Sequence, residues 1–138
     1  MNHNPRADQV WRDLSRFVID NKDSWRKAAM ERTGLPFSRI RILRRIARGP
    51  LTVKQVAEAA TIDAPAATVA INDLETRGLV VRQIDPLNRR CKVVSLTGSG
   101  RALVDAIDAI DDPAPAALAV LGDDELAALR AILDRLGS

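Results

Sequence analysis

Residues 52–65 of this 138-residue chain place two helix starts within one short stretch. Thr52 and Gln55 have the spacing of a capping box, in which the threonine accepts from the third helical amide and the glutamine reaches back to the cap. Val53, Val56, Ala57 and Ala60 give the helix that follows an apolar face. Only Thr61 and Ile62 then precede Asp63, a strong N-cap, and Pro65, which suits a first helical turn. Two short helices joined so tightly form a helix-turn-helix. In the second helix Ala67, Ala70, Ile71 and Leu74 make one buried stripe. Pro65, Thr68, Val69, Asn72 and Thr76 are left outward as a candidate reading surface. Arg77-Gly78 ends the helix, the glycine supplying a left-handed cap.

The flanking segments complete a pattern. Leu79–Ile84 and Cys91–Leu96 are rich in β-branched residues, and the segment between them, 85–90, has turn chemistry with a basic tip. They predict a hairpin, or wing, whose Arg89, Arg90 and Lys92 can lie along a phosphate backbone or enter an adjacent minor groove. Upstream, Arg6–Glu31 contains no Pro or Gly, and Trp11, Leu14, Val18, Trp25 and Ala28 recur at heptad-like spacing, with Val10 and Phe17 widening the stripe. This predicts one long helix, too long for a small domain to cover, so that part of its face meets another subunit. Asn21, within the stripe, either fixes the register of a dimer or faces solvent or a ligand.

Gly34 and Pro36 break that helix. Phe37, Ile40, Leu43, Ile46 and Ala47 then predict a second, whose polar face carries Arg39, Arg41, Arg44, Arg45 and Arg48. Thr97 can cap a helix through Leu103, Ala106, Ile107 and Ile110, which stops at Asp111-Asp112-Pro113. A last helix after Gly122-Asp123 has an apolar side of Leu126, Leu129, Ile132, Leu133 and Leu136. The expected fold is mainly α with a small β-wing, an α+β class. It is a single domain over 1–138, with a winged helix-turn-helix over 36–96 (helix-turn-helix about 52–77, wing about 79–96). Helices in 6–31 and 98–138 are expected to form a dimerisation region.

Composition excludes several classes. The net charge of +3 conceals a division: residues 1–101 hold 19 Lys and Arg against 10 Asp and Glu, and residues 102–138 hold 2 against 8. A basic body beside an acidic end suits nucleic acid, whereas 3% aromatic residues leave few rings for stacking on single strands. No apolar run is long enough to span a bilayer and the first residues are polar, so a cytoplasmic protein is expected. One cysteine, Cys91, and one histidine, His3, provide neither an internal disulfide nor a zinc site. With no phosphate loop, nucleophile motif or histidine in the folded region, neither enzymatic activity nor a cofactor or metal is expected.

In order and spacing these segments resemble the MarR family of bacterial winged-helix regulators over nearly the whole chain. Thr52-Val53-Lys54-Gln55-Val56-Ala57 is similar to the start of that family's first helix-turn-helix helix. Leu74-Glu75-Thr76-Arg77-Gly78-Leu79-Val80 is similar to the end of its recognition helix, and Thr97-Gly98-Ser99-Gly100 to the helix entry after its wing. The resemblance implies a homodimer with recognition helices in successive major grooves of double-stranded DNA. It implies a quasi-palindromic operator, and release by a small anionic aromatic effector bound between the DNA-binding and dimerisation regions.

The DNA-contacting residues so expected are Thr52, Lys54 and Gln55 on the first helix, Ala64, Pro65, Thr68, Val69, Asn72 and Arg77 on the second, and Asn88, Arg89 and Arg90 on the wing. The chain departs from the family's wing pattern by carrying Leu87 and Asn88 between Asp85 and the retained Arg90, which removes one positive charge that Arg89 is placed to restore. Ala64, Ala66 and Val69 stand where longer or polar side chains are common. Base reading should therefore rest on thymine methyl contacts, Thr68, Asn72 and DNA shape.

Effector candidates are Arg16, Phe17, Trp25, Arg39 and Leu43, the arginines as partners for a carboxylate. For Trp11 and Trp25 the plainer role is core or dimer packing. Cys91 is read as a small apolar strand residue; its alternative is a redox trigger beside Arg90 and Lys92. The competing functional reading is a winged-helix protein-interaction module without sequence-specific DNA reading.

Overall fold

The computed structural model describes residues 4–137, and His3 lies outside them. Its elements are α1 (Pro5–Asn21), α2 (Asp23–Thr33), α3 (Phe37–Ile46), β1 (Leu51–Thr52), α4 (Val53–Ala60), α5 (Ala64–Thr76), β2 (Val80–Asp85), β3 (Asn88–Leu96), α6 (Gly98–Asp108), α7 (Ala116–Ala119) and α8 (Asp123–Gly137). They form two compact units, one spanning 22–110 and the other made of the terminal segments to 21 and from 111.

The 22–110 unit holds the core. Ile40, Leu43, Ala67, Ala70, Ile71, Leu74 and Ile107 have zero exposure and cluster with Trp25, Ala29, Val56, Val80, Val94 and Val104. Strands run in the order β1-β3-β2, all antiparallel. The capping box forms as its spacing predicts: Thr52 Oγ1 accepts from the Gln55 amide (3.1 Å), and Gln55 Oε1 accepts from the Thr52 amide (2.9 Å). Asp63 Oδ1 accepts from the Ala66 amide at 2.8 Å to start α5. Between α4 and α5, Thr61 takes the left-handed conformation (φ 56, ψ 46), and Ile62 N donates to Ala57 O at 3.0 Å to close the turn.

Thr97 joins the wing to α6, its hydroxyl donating to Gly78 O (2.6 Å) and accepting from the Gly100 amide (3.0 Å). Gly100 lies so close to the Leu79 carbonyl that a Cβ there would overlap the oxygen.

The terminal unit contains α1, α7 and α8. Asn4 Oδ1 accepts from the amides of Arg6 (3.0 Å) and Ala7 (3.2 Å), which explains why α1 starts at Pro5. Glu125 Oε1 accepts from the Gly122 amide (3.0 Å) at the start of α8. Neither α1 nor α8 contains a buried residue. Trp11 is 70% exposed, and Val10, Val18, Ile19, Ile132, Leu133 and Leu136 are also exposed.

Several expectations are corrected. The helix expected over 6–31 is two helices divided at Lys22. At the end of the first, Asn21 Nδ2 donates to Phe17 O (2.7 Å), giving that carbonyl a side-chain partner. This fixes Asn21 within its own helix. Within α2, Ala29, in place of Ala28, is buried beside Trp25. Segments 22–33 and 98–110, grouped by sequence with the dimerisation helices, pack into the winged core through Trp25, Ala29, Val104 and Ile107. The hairpin turn is only Pro86-Leu87, and Asn88–Arg90 belong to β3. β1 and α7 are too short for periodicity to disclose.

Gly100→Ala is expected to lower stability by about 2 kcal/mol, because the added methyl meets backbone that cannot yield. Gly98→Ala, with open space around its Cβ, should leave stability nearly unchanged. Urea unfolding midpoints of the two variants check this.

Candidate nucleic-acid interface

Burial of Ala67, Ala70, Ile71 and Leu74 turns the opposite side of α5 outward. Ala64, Pro65, Ala66 and Asn72 are exposed, Val69 is 61% exposed and Thr68 is half-buried. The Thr68 hydroxyl donates to Ala64 O (3.0 Å), leaving its oxygen able to accept. The first half of α5 thus offers methyl and methylene groups, which suit the thymine methyl, and little hydrogen-bonding capacity. On α4, Lys54 and Gln55 are exposed while Thr52 is half-buried. Thr52 and the carbonyl end of Gln55 are occupied by the capping box, and the Gln55 amide nitrogen remains outward as a donor.

Asn72 is exposed, as its place on the outward face predicts, and it also has a partner on the wing. Its Oδ1 accepts a hydrogen bond from Arg82 on β2. Arg82 Nε is buried without a hydrogen-bond partner and lies 3.9 Å from Glu75 Oε2. Asn72 and Glu75 therefore tie the root of the wing to the recognition helix, and one lone pair of the oxygen that Asn72 would use in a bidentate adenine contact is engaged. Arg82 was missed by sequence reasoning. A usable signal was present, since Arg82 lies two residues beyond the buried Val80 and strand alternation puts it on the same face, toward α5.

A second tie crosses from α3. Asp73 accepts from Arg39 Nε (3.1 Å) and from Arg77 Nε (3.1 Å). Hydrogen bonds from Arg39 foremost, then Arg77, hold its carboxyl below the ordinary value of 3.8. Arg77, expected on DNA, is exposed but shares its guanidinium with this acid.

The wing presents its cations openly. Its register runs Ile84↔Lys92 and then Asp85↔Asn88, so Arg89, Arg90 and Cys91 of β3 have no partner in β2 and form a bulge. Arg89 and Arg90 are exposed, and neither has an acidic partner among the described residues. Asn88 is used locally: its Oδ1 accepts from the Arg90 amide (3.2 Å) and its Nδ2 approaches Cys91 Sγ (3.4 Å). Cys91 is half-buried. The whole 22–110 unit holds 16 Lys and Arg against 9 Asp and Glu, a net +7.

The effector candidates do not share one pocket in this unit. Leu43 has zero exposure and Trp25 is 8% exposed, edge-on to Phe37 (centroids 6.0 Å), so both are core residues. Arg39 is engaged by Asp73. Arg16, exposed, and Phe17, half-buried, lie on α1 in the terminal unit. The 22–110 unit instead opens a cavity of about 470 Å3 between α3, α4 and α6, with Phe37, Ile42, Val56 and Val104 among its apolar lining and Arg41, Arg44, Arg45, Arg48 and Arg101 among its polar lining. Arg44 lies over the Trp25 ring (4.9 Å) and 3.6 Å from Asp108, the cavity's one acid.

Two closely joined helices, the second with an open outward face, followed by a hairpin carrying unpaired arginines, define a winged helix-turn-helix. Residues 33–90 match the model of the MarR family. Among solved structures, the fold matches wild-type apo MarR from E. coli, with 22% identity, coverage of 90% of this chain and 94% of that one, and a TM-score of 0.68. It matches a MarR family protein from Bacillus stearothermophilus with 17% identity, coverage of 99% and 96%, and a TM-score of 0.72. It also matches a mutant of S. aureus MepR bound to an oligodeoxyribonucleotide, with 22% identity, coverage of 91% and 94%, and a TM-score of 0.62. Comparison with curated proteins returned no match. The resemblance to the MarR family therefore holds, by sequence over 33–90 and by fold across the chain. No helix among the described residues is long and apolar enough to cross a membrane.

Asp73 gives the interface a pH dependence. Its folded pKa lies below its unfolded value, so its contribution to stability is complete above about pH 4 and is lost as pH falls through the lowered pKa. Asp73→Asn should lower the urea midpoint at pH 7 and flatten the decline in midpoint below pH 4 relative to the unaltered protein.

Proposed function

We propose that this chain is a homodimeric, DNA-binding transcription regulator of the MarR family, a cytoplasmic repressor released from a quasi-palindromic operator by a small aromatic anion. The observation that carries the DNA-binding reading is the pairing, on one unit of net charge +7, of an outward recognition-helix face with a wing whose Arg89 and Arg90 are unpaired. Backbone contacts supply most of the affinity, and the apolar face of α5 supplies modest base selection. The solved complex of a MepR mutant with an oligodeoxyribonucleotide supports DNA as the partner class.

The dimer reading rests on α1 and α8. Both leave rows of large apolar side chains exposed, which a second copy would cover. Two recognition helices would then address half-sites about one helical turn, roughly 34–36 Å, apart. For the effector, the cavity of the 22–110 unit has suitable chemistry: an apolar body fits over Phe37 and Ile42, and a carboxylate meets the surrounding arginine forks. This seat is preferred to the sequence-derived group of Arg16, Phe17, Trp25, Arg39 and Leu43, of which Leu43 and Trp25 are already spent on the core.

Replacing both Arg89 and Arg90 by Ala should weaken duplex binding and reduce the steepness of log affinity against log salt by about 1.8, roughly 0.9 for each phosphate that is no longer neutralised. The circular dichroism melt should not change. Unaltered binding and salt slope would favour the interaction-module reading, to which the alanine-rich face of α5 lends itself. Leu133→Asp should convert a dimer to a monomer in sedimentation velocity; a wild-type protein that already sediments as a monomer would refute the dimer.

A further inference from the structure

The wing ends in an apolar point. Leu87 is 96% exposed, Ile84 is 61% exposed, and Pro86 between them is also exposed. The tip is tied off: Asp85 Oδ1 accepts from the Leu87 amide (2.9 Å), and Asn88 Oδ1 accepts from the Arg90 amide (3.2 Å). No residue of this turn has a positive φ. A polar turn residue would serve the local geometry at least as well as leucine, without exposing a branched side chain to water.

One exposed leucine is ordinary on a protein surface. Here, however, it crowns a two-residue turn with proline on one side, and beside it stands the bulge that carries the unpaired Arg89 and Arg90. An apolar point with cationic shoulders has the chemistry of a minor-groove wedge. The hydrocarbon separates stacked bases while the guanidinium groups hold the flanking phosphates.

The hairpin is also of comparable length to the span required. Arg82 holds the wing root against Asn72 of the recognition helix. From Arg82 to Leu87 the strand extends about 16 Å at roughly 3.3 Å per residue. With α5 in a major groove, the adjacent minor groove lies half a helical turn away, about 17 Å. We infer that Leu87, stiffened by Pro86, inserts into the minor groove beside each half-site and kinks the DNA there. The inference rests on the DNA-binding reading above and adds a deformation step to it.

The test uses the full-length protein, Leu87→Ser and Leu87→Met on one duplex recovered from random-sequence DNA by selection with the wild type. Binding is measured across a salt series, and bending by circularly permuted fragments. Because the Leu87 side chain touches little and the Asp85 hydrogen bond to its amide is retained, both variants should melt as the wild type does. Leu87→Ser is expected to lose about tenfold in affinity together with most of the bend, at an unchanged salt slope. Leu87→Met should keep both. Equal affinity and bend in Leu87→Ser, or a wild-type complex on straight DNA, would overturn the wedge and leave DNA binding standing. Failure of the wild type to bind any duplex would overturn both.

Discussion

The burial of one stripe on α5 governs the rest of the winged unit. Ala67, Ala70, Ile71 and Leu74 reach zero exposure, and burying each of the two larger side chains contributes about 1.5–3 kcal/mol. Two of the four are alanines, so the helix can lie close against its neighbours. Once the stripe faces inward, Ala64, Ala66 and Val69 must face outward, and the chemistry of the reading surface is settled by a packing requirement on the other side. Asp73, at the edge of the stripe, meets Arg39 and Arg77, and Asn72 meets Arg82. The recognition helix is thereby fastened to α3 and to the wing by polar contacts that fall where the apolar seam ends.

Charge follows the same partition. The winged unit holds the positive excess, while the terminal segments, with 5 Lys and Arg against 9 Asp and Glu, carry a net −4. Residues that build the core and residues that face a polyanion are interleaved along α3, where every buried isoleucine or leucine has an arginine next to it in sequence. The same helix therefore stabilises the unit on one side and lines an arginine-rich cavity on the other.

Most of this architecture was legible in the sequence because its signals are local. The Thr52–Gln55 box, the Asp63 cap, the Thr97 cap and the α5 stripe each depend on residues within one or two turns, and all four form as their spacing predicts. What failed to show was set by partners far along the chain. β1 exists because Leu51 and Thr52 pair with Val94 and Val93, and no periodicity in a two-residue strand announces it. The bond from Arg82 to Asn72 is a strand-to-helix contact that only the fold supplies. Arg39 and Leu43 share a helix, but a companion on α5 engages the first and the core buries the second. The heptad spacing of Trp11 and Trp25 suggested one continuous helix, but the segment is divided at Lys22.

Thr61, between α4 and α5, has a consequence for how the two helices behave together. A β-branched residue in the left-handed region occupies a narrow well and carries roughly 1–3 kcal/mol of strain. Such a joint has little play about its resting angle: small rotations raise the energy steeply, and the next available well would send the chain in another direction. The bond from Ile62 to Ala57 locks the same corner. The strained residue and this bond together favour one angle between α4 and α5. Accommodation to a surface they meet then costs less by displacing the pair as a whole than by changing that angle.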